Sequence, residues 1–60
     1  MNGETLKARR AALRLSQESL AHELGVSVMT VSRWERGLHR IPLMVERLFQ
    51  AKTIYESMID

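Results

Sequence analysis

The sequence contains no cysteine, a single proline and only three glycines among its 60 residues. Without cysteine, disulfides and thiolate metal ligands are excluded, which fits a reducing compartment. The scarcity of glycine and proline argues against a fold rich in turns, and a hydrophobic content of 45% argues against disorder. The composition therefore favours a small helical domain.

Long hydrophobic stretches are also missing. No apolar run approaches the roughly 20 residues that a helix needs to cross a bilayer, and the first residues lack the apolar core of a signal peptide. A chain of 60 residues is close to the smallest size for which one hydrophobic core suffices. We therefore expect residues 1–60 to form a single domain that works in the cytoplasm and does not enter a membrane.

The net charge is modest but unevenly distributed. Residues 1–40 carry seven Lys or Arg side chains against four acidic ones, a net charge of +3, whereas residues 41–60 carry a net charge of −1. A basic first part indicates a polyanionic partner, although an excess of this size is also common on ordinary solvated surfaces. Charge alone leaves both interpretations open.

The first helix is predicted by the segment ETLKARRAALRL. Leu6, Arg10 and Leu13 follow one another at i, i+4 and i+7, which predicts a helix from about Thr5 to Arg14. Arg10 is the unusual member of this stripe, because a charge on the inward face of a helix needs a partner.

Two further short helices follow. Ser16 and Ser27 are good N-caps, and Gly25 and Gly37 are residues at which helices commonly end. The connection around Gly25 is too short to reverse the chain, so the two helices must cross steeply. This spacing predicts a helix-turn-helix over about residues 16–37.

A last helix is expected over about residues 42–58. Pro42 suits its first turn, and no glycine or proline follows before Met58. Its predicted core-facing stripe has a 4-3-4-3 spacing, and Val45, Phe49 and Ile54 add apolar surface beyond the needs of one small core. The stripe consists of Met44, Leu48, Ala51, Tyr55 and Met58.

The helix that follows Ser27 has two different faces. A period of 3.6 residues directs Val31 and Trp34 to the core and places Met29, Arg33 and Arg36 on the opposite side. Arginine can donate two hydrogen bonds to guanine, and valine or methionine can touch a thymine methyl group in the major groove. The alternative is that Arg33 and Arg36 are solvated and that Met29 and Val28 pack on a neighbouring loop.

The stretch LSQESLAHELGVSVMTVSRWERG resembles the helix-turn-helix of phage-repressor and Cro-type proteins, the XRE-like transcriptional regulators. The resemblance covers about residues 5–48 and implies an all-α, compact, lambda-repressor-like fold of four to five helices. The matching residues stand at the spacing of that family and are Leu15, Gln17, Leu20, Ala21, Leu24, Gly25, Val26, Ser27, Val31, Ser32, Trp34, Glu35 and Gly37.

The resemblance also implies roles for individual residues. Gln17 resembles a glutamine that meets a DNA phosphate and braces the recognition helix, and Arg10 and Glu35 resemble a buried ion pair. Positions that touch bases or the adjacent sugar-phosphate are Ser27, Val28, Met29 and Arg33, and positions that contact phosphates are Thr30, Ser32, Arg36 and Arg40.

This chain departs from the family pattern at two places. Many members carry glutamine or arginine where Val28 and Met29 stand, so direct readout is expected to rest mainly on Arg33, with help from thymine methyl groups and DNA shape. In addition, the usual glycine-containing turn into a fifth helix is missing from FQAKTIYESMID.

Two functions are consistent with these observations. The first is a sequence-specific regulator, most simply a repressor that binds a palindromic operator in double-stranded DNA as a homodimer. The second is an antitoxin or adaptor whose C-terminal helix binds a toxin or another protein. Candidates for the dimer interface are Phe49, Ile54, Tyr55, Met58 and Ile59. The alternative is that Leu48, Tyr55 and Met58 complete the monomer core and that Phe49 and Ile59 are singly exposed.

No chemistry beyond binding is expected. His22 and His39 lack the spacing of a metal site, and no arrangement of nucleophile, base and acid is apparent. We therefore predict no catalytic residue, no metal and no cofactor.

Overall fold

The chain folds from helices whose first turns are capped by side chains. The computed structural model describes residues 1–50, which form α1 (Gly3–Ala12), α2 (Gln17–Leu24), α3 (Val28–Glu35) and a helix over residues 43–50, here α4. These 50 residues contain no strand. The predicted all-α, lambda-repressor-like architecture is thereby confirmed, with four helices in the part of the chain that the structure covers.

Each of the first three helices begins with a polar cap that accepts a backbone hydrogen bond. The Ser16 hydroxyl accepts from the Ser19 N–H at 3.0 Å, and the Ser27 hydroxyl accepts from the Thr30 N–H at 3.2 Å. Asn2 plays the same part for α1, because its Oδ1 accepts from the Thr5 N–H at 2.8 Å. This cap explains why α1 begins at Gly3 rather than at Thr5.

The same three helices end in one common way. The residue after the last turn has a positive φ, and the N–H of the next residue bonds to a carbonyl five positions earlier. Gly25 and Gly37 take this left-handed conformation, with φ of 71° and 75°. At the end of α1 the position is held by Arg14, with φ of 59°, so α1 stops at Ala12 instead of reaching Arg14. The closing bonds are Leu15 N–H to Arg10 O, Val26 N–H to Ala21 O and Leu38 N–H to Arg33 O.

The core is built from all four helices. Val31 and Trp34 lie inside, as the face pattern of α3 predicts. The full set of buried apolar residues in the described chain is Leu6, Leu20, Ala21, Val31, Trp34, Val45 and Phe49.

The core-facing stripe of α4 differs from the prediction. Val45 and Phe49 are 6% and 1% exposed, whereas Met44 is 81% exposed. The rows 44/48 and 45/49 lie side by side on a helix, so the spacing of apolar residues fits either one. The row with the large aromatic ring faces the core. Placing Phe49 at a dimer interface is therefore wrong, since a side chain buried in its own domain has no surface to offer a partner.

The remaining interface candidates, Ile54, Tyr55, Met58 and Ile59, lie outside the described residues, as does the predicted continuation of the last helix to Met58. Within residues 1–50, no helix is long and apolar enough to span a membrane.

Candidate nucleic-acid interface

The outward face of α3 is the candidate interface. Directly opposite the buried Val31 and Trp34, a helical period places Met29 and Arg36, with Arg33 beside them. Met29 is 54% exposed and Arg36 is exposed, while Arg33 is half-buried. The face therefore presents both cations and an apolar side chain to a ligand.

The start of α3 carries two hydroxyl groups that are bonded to each other. The Ser27 and Thr30 hydroxyl oxygens lie 2.9 Å apart, and the Ser27 oxygen also accepts the capping bond from the Thr30 N–H. One hydroxyl hydrogen is used in the bond between the two groups, so the other can still be donated. A phosphate oxygen at this end of α3 would accept it and would also gain from the positive end of the helix dipole.

Three arginines near this face are not neutralised by acids. Among residues 1–50, neither Arg33, Arg36 nor Arg40 forms an ion pair with a carboxylate. Arg36 caps the C-terminus of α3, and Arg40 lies in the loop that leads to α4. Unpaired guanidinium groups of this kind are suited to phosphate oxygens and to guanine.

The end of α3 is held by a polar network that joins three helices. Arg10 of α1 donates from Nε to Glu35 Oε2 at 2.6 Å and from a terminal nitrogen to Glu35 Oε1 at 3.1 Å. The Gln17 amide of α2 donates to Glu35 Oε1 at 3.0 Å. Arg10 also donates to the Leu15 carbonyl at 2.8 Å. The charged group on the inward face of α1 therefore has hydrogen-bond partners in Glu35 and Leu15.

This network determines the protonation state of Glu35. Burial by itself raises the pKa of Glu35, but hydrogen bonds from Arg10 and Gln17 and the charges of Arg10 and Lys7 outweigh it, so the pKa lies below its ordinary value. The hydrogen bond to Glu35 likewise raises the pKa of Arg10, although partial burial opposes it. Both partners therefore stay charged at neutral pH.

A close approach between α1 and α3 adds a second constraint, which the sequence pattern did not reveal. A β-carbon built at Gly3 would lie 2.5 Å from the Trp34 carbonyl oxygen and would also meet the backbone of Glu35. Only a glycine allows the first turn of α1 to lie so near the end of α3. No signal in the sequence marked Gly3, because the helix predicted from about Thr5 to Arg14 begins after it.

Comparison with known proteins identifies the family to which this arrangement of helices belongs. The family profile described as "Helix-turn-helix" matches residues 6–49, which make up most of the chain and include α2, α3 and most of α1 and α4. The chain belongs to the XRE-type helix-turn-helix family. The resemblance predicted from LSQESLAHELGVSVMTVSRWERG is thereby confirmed.

One relative of this helix-turn-helix protein comes from Rhodospirillum rubrum and is named "Uncharacterized transcriptional regulator in ATPase CF(0) region". It is 46% identical over 39 residues, which make up 65% of this chain and 36% of the relative. The chain thus aligns with little more than a third of the relative's length. No solved structure matches the chain significantly.

Within the helix-turn-helix, most of the predicted DNA-contacting residues lie together on α3 or at its ends. Arg40 is separated from them by the turn at Gly37. Gln17 is turned toward Glu35, so its amide nitrogen braces α3, and its backbone N–H in the first turn of α2 is the group that suits a phosphate. Those on or beside α3 are Ser27, Val28, Met29, Thr30, Ser32, Arg33 and Arg36.

Proposed function

We propose that this chain is a sequence-specific DNA-binding regulator, acting as a repressor, that places α3 in the major groove of double-stranded DNA. Binding rather than catalysis is its activity, and it works in the cytoplasm together with its DNA target. The observation that carries the proposal is the outward face of α3, where arginines that form no ion pair within residues 1–50 stand beside exposed apolar side chains.

The rigidity of the recognition helix supports this proposal. Glu35 at the end of α3 accepts hydrogen bonds from both α1 and α2, and Gly3 packs against the same turn. A helix fixed from two sides presents its outer face in one orientation, so little ordering cost remains when DNA binds. The family of the chain and the name of its relative from Rhodospirillum rubrum are consistent with such a role.

The proposal includes a homodimer on a palindromic operator. One module contacts too few phosphates for strong specific binding, and proteins of this kind gain affinity by occupying two half-sites about one helical turn apart. With Phe49 in the core, the candidates for the contact between copies are Ile54, Tyr55, Met58 and Ile59.

The dimer is tested by Ile54→Glu, which is expected to yield monomers in sedimentation and to weaken DNA binding. The matched control is Gln50→Glu, which adds the same charge at an exposed position. If Ile54→Glu changes neither sedimentation nor DNA affinity, the proposed dimer is wrong.

The direct test is selection of DNA from a random double-stranded library by the 60-residue chain. We expect a palindromic consensus and an affinity that falls steeply as salt rises, because counterions are released when arginines meet phosphates. The selected site, placed across a promoter, should lower transcription when the protein is present. No enrichment at low salt, together with a stable protein partner, would favour an antitoxin or adaptor instead.

A further inference from the structure

Two large apolar side chains are exposed at the beginning of the recognition helix. Val28 is 41% exposed and Met29 is 54% exposed. They are the only large hydrophobic side chains of α1, α2 and α3 that stand in solvent to this extent; the other three described ones lie beyond Gly37. Nothing in residues 1–50 covers them.

The surroundings of this pair indicate what would cover it. The bonded hydroxyls of Ser27 and Thr30 stand on one side, and Arg33 and Arg36 follow one and two turns along α3. Groups suited to phosphates, the two hydroxyls at one end and Arg36 at the other, thus lie on either side of two side chains that cannot bind phosphates. When the polar groups meet the DNA backbone, the apolar pair is brought to the edges of the bases.

At the base edges, Val28 and Met29 have a restricted choice of partners. Valine has no hydrogen-bonding side chain and the methionine sulfur is a weak acceptor, so neither can distinguish bases by donor and acceptor pattern. The apolar group that natural B-DNA presents in the major groove is the methyl group on C5 of thymine. A methyl group on C5 of cytosine projects into the same groove from the same ring position.

We infer that Val28 and Met29 read the 5-methyl group of pyrimidines, so that affinity depends on that methyl group whether thymine or 5-methylcytosine carries it. This inference rests on the proposed function and names the DNA chemistry at the same site. Methylation of a cytosine that faces the pair in the operator then strengthens binding. Burial of one methyl group on each contact corresponds to an affinity change of about four-fold.

The test uses the consensus DNA selected by the full 60-residue chain. Each thymine is replaced in turn by deoxyuridine, which lacks only the methyl group, and affinity is measured by fluorescence anisotropy. We expect about four-fold weaker binding at one or two positions in each half-site. At those positions, 5-methylcytosine should exceed cytosine by a similar ratio.

Three variants connect the effect to the two residues. In the double variant Val28→Ala, Met29→Ala, the ratio of thymine to uracil affinity should fall to about one. Arg33→Ala should weaken binding to both DNAs and keep the ratio. Met44→Ala, which truncates an 81% exposed methionine of α4, should change neither affinity nor ratio. Circular dichroism confirms that each variant is folded.

The outcomes are separable. A consensus in which uracil binds like thymine at every position overturns the inference and leaves the proposed function in place. A thymine preference that survives in the Val28→Ala, Met29→Ala variant also overturns it. Selection that enriches no sequence overturns the proposed function itself, and the inference with it.

Discussion

The Nε atom of Arg10 lies 2.6 Å from Oε2 of Glu35, across 25 residues of sequence, and joins the first helix to the last turn of the recognition helix. The side chains of the two residues are 14% and 5% exposed. An ion pair removed from water to this degree contributes little net stability, yet it makes each partner dependent on the other.

Removing one partner of this pair should be costly. We expect Arg10→Ala or Glu35→Ala to lower the free energy of unfolding by about 3–5 kcal/mol, because the remaining charge is left buried without its partner. The double variant Arg10→Met, Glu35→Met leaves no charge behind and should lose clearly less than either single variant. Urea denaturation measures all three. A double variant that is less stable than both single variants would contradict this account.

The low pKa of Glu35 makes stability depend on acid. A carboxylate whose pKa is lower in the folded state stabilises the fold above its unfolded value of 4.5, and that contribution is lost as the pH falls through the folded pKa. The free energy of unfolding is therefore expected to stay level from pH 7 to about 5 and to decline below about 4.5. Denaturation across this range, with Glu35→Gln as control, checks the assignment. The variant should be less stable at pH 7 and should show a shallower acid decline.

For Gly3→Ala, helix propensity and the packing of α1 against α3 predict changes in stability of opposite sign. Helix propensity alone predicts a gain of about 1 kcal/mol for alanine in a helix. The structure predicts a net loss of about 1–2 kcal/mol, because the new methyl group would overlap the carbonyl oxygens of Trp34 and Glu35. Glu4→Ala, on an exposed neighbouring position of α1, is the control and should change stability little. A higher urea midpoint for Gly3→Ala would contradict the close approach between α1 and α3.

Arg14→Gly should stabilise the fold. Arg14 has φ of 59°, a conformation that a β-carbon disfavours by roughly 1–2 kcal/mol. Glycine relieves this cost but adds freedom to the unfolded chain, so we expect a net gain of about 0.5–1 kcal/mol. For a domain of this size that gain raises the thermal midpoint by about 4 °C. Gly25→Ala, which introduces the same strain at the end of α2, should lower the midpoint, and a fall for Arg14→Gly would speak against strain at this turn.

The arginines of the interface should separate specificity from affinity. Arg33→Ala is expected to cost about 1–3 kcal/mol on the consensus site and to relax the preference at one base pair. Arg36→Ala and Arg40→Ala should weaken binding to every sequence alike and make it less sensitive to salt, as loss of a phosphate contact does. Affinities for the consensus and for singly substituted DNAs distinguish these patterns. Uniform weakening by Arg33→Ala would make it another phosphate contact.

The sequence predicted those features that depend on local rules. Ser16 and Ser27 cap helices and Gly25 and Gly37 end them because these positions need a side-chain oxygen or a left-handed backbone, and residue type alone indicates that. Arg14 escaped prediction because a non-glycine residue in that conformation follows no such rule.

Features that depend on neighbours in space were less accessible. Adjacent rows on α4 are equally apolar, so only packing decides that Phe49 is buried and Met44 exposed. Gly3 could not be interpreted without the end of α3 beside it. The ion pair between Arg10 and Glu35, by contrast, was predicted from the family resemblance, because a family pattern carries information about positions that are distant in sequence.

The capping and helix-ending hydrogen bonds join residues at most five positions apart, whereas Arg10 and Glu35 are separated by 25. Contacts of short range form quickly, and a contact that closes a long loop comes late. We therefore expect the turns to be organised before α1 docks on α3, with the ion pair closing on the far side of the folding barrier. Its loss should then chiefly accelerate unfolding and leave the folding rate nearly unchanged. The ion pair between Arg10 of α1 and Glu35 of α3 therefore controls the unfolding rate, and with it the lifetime of the native state.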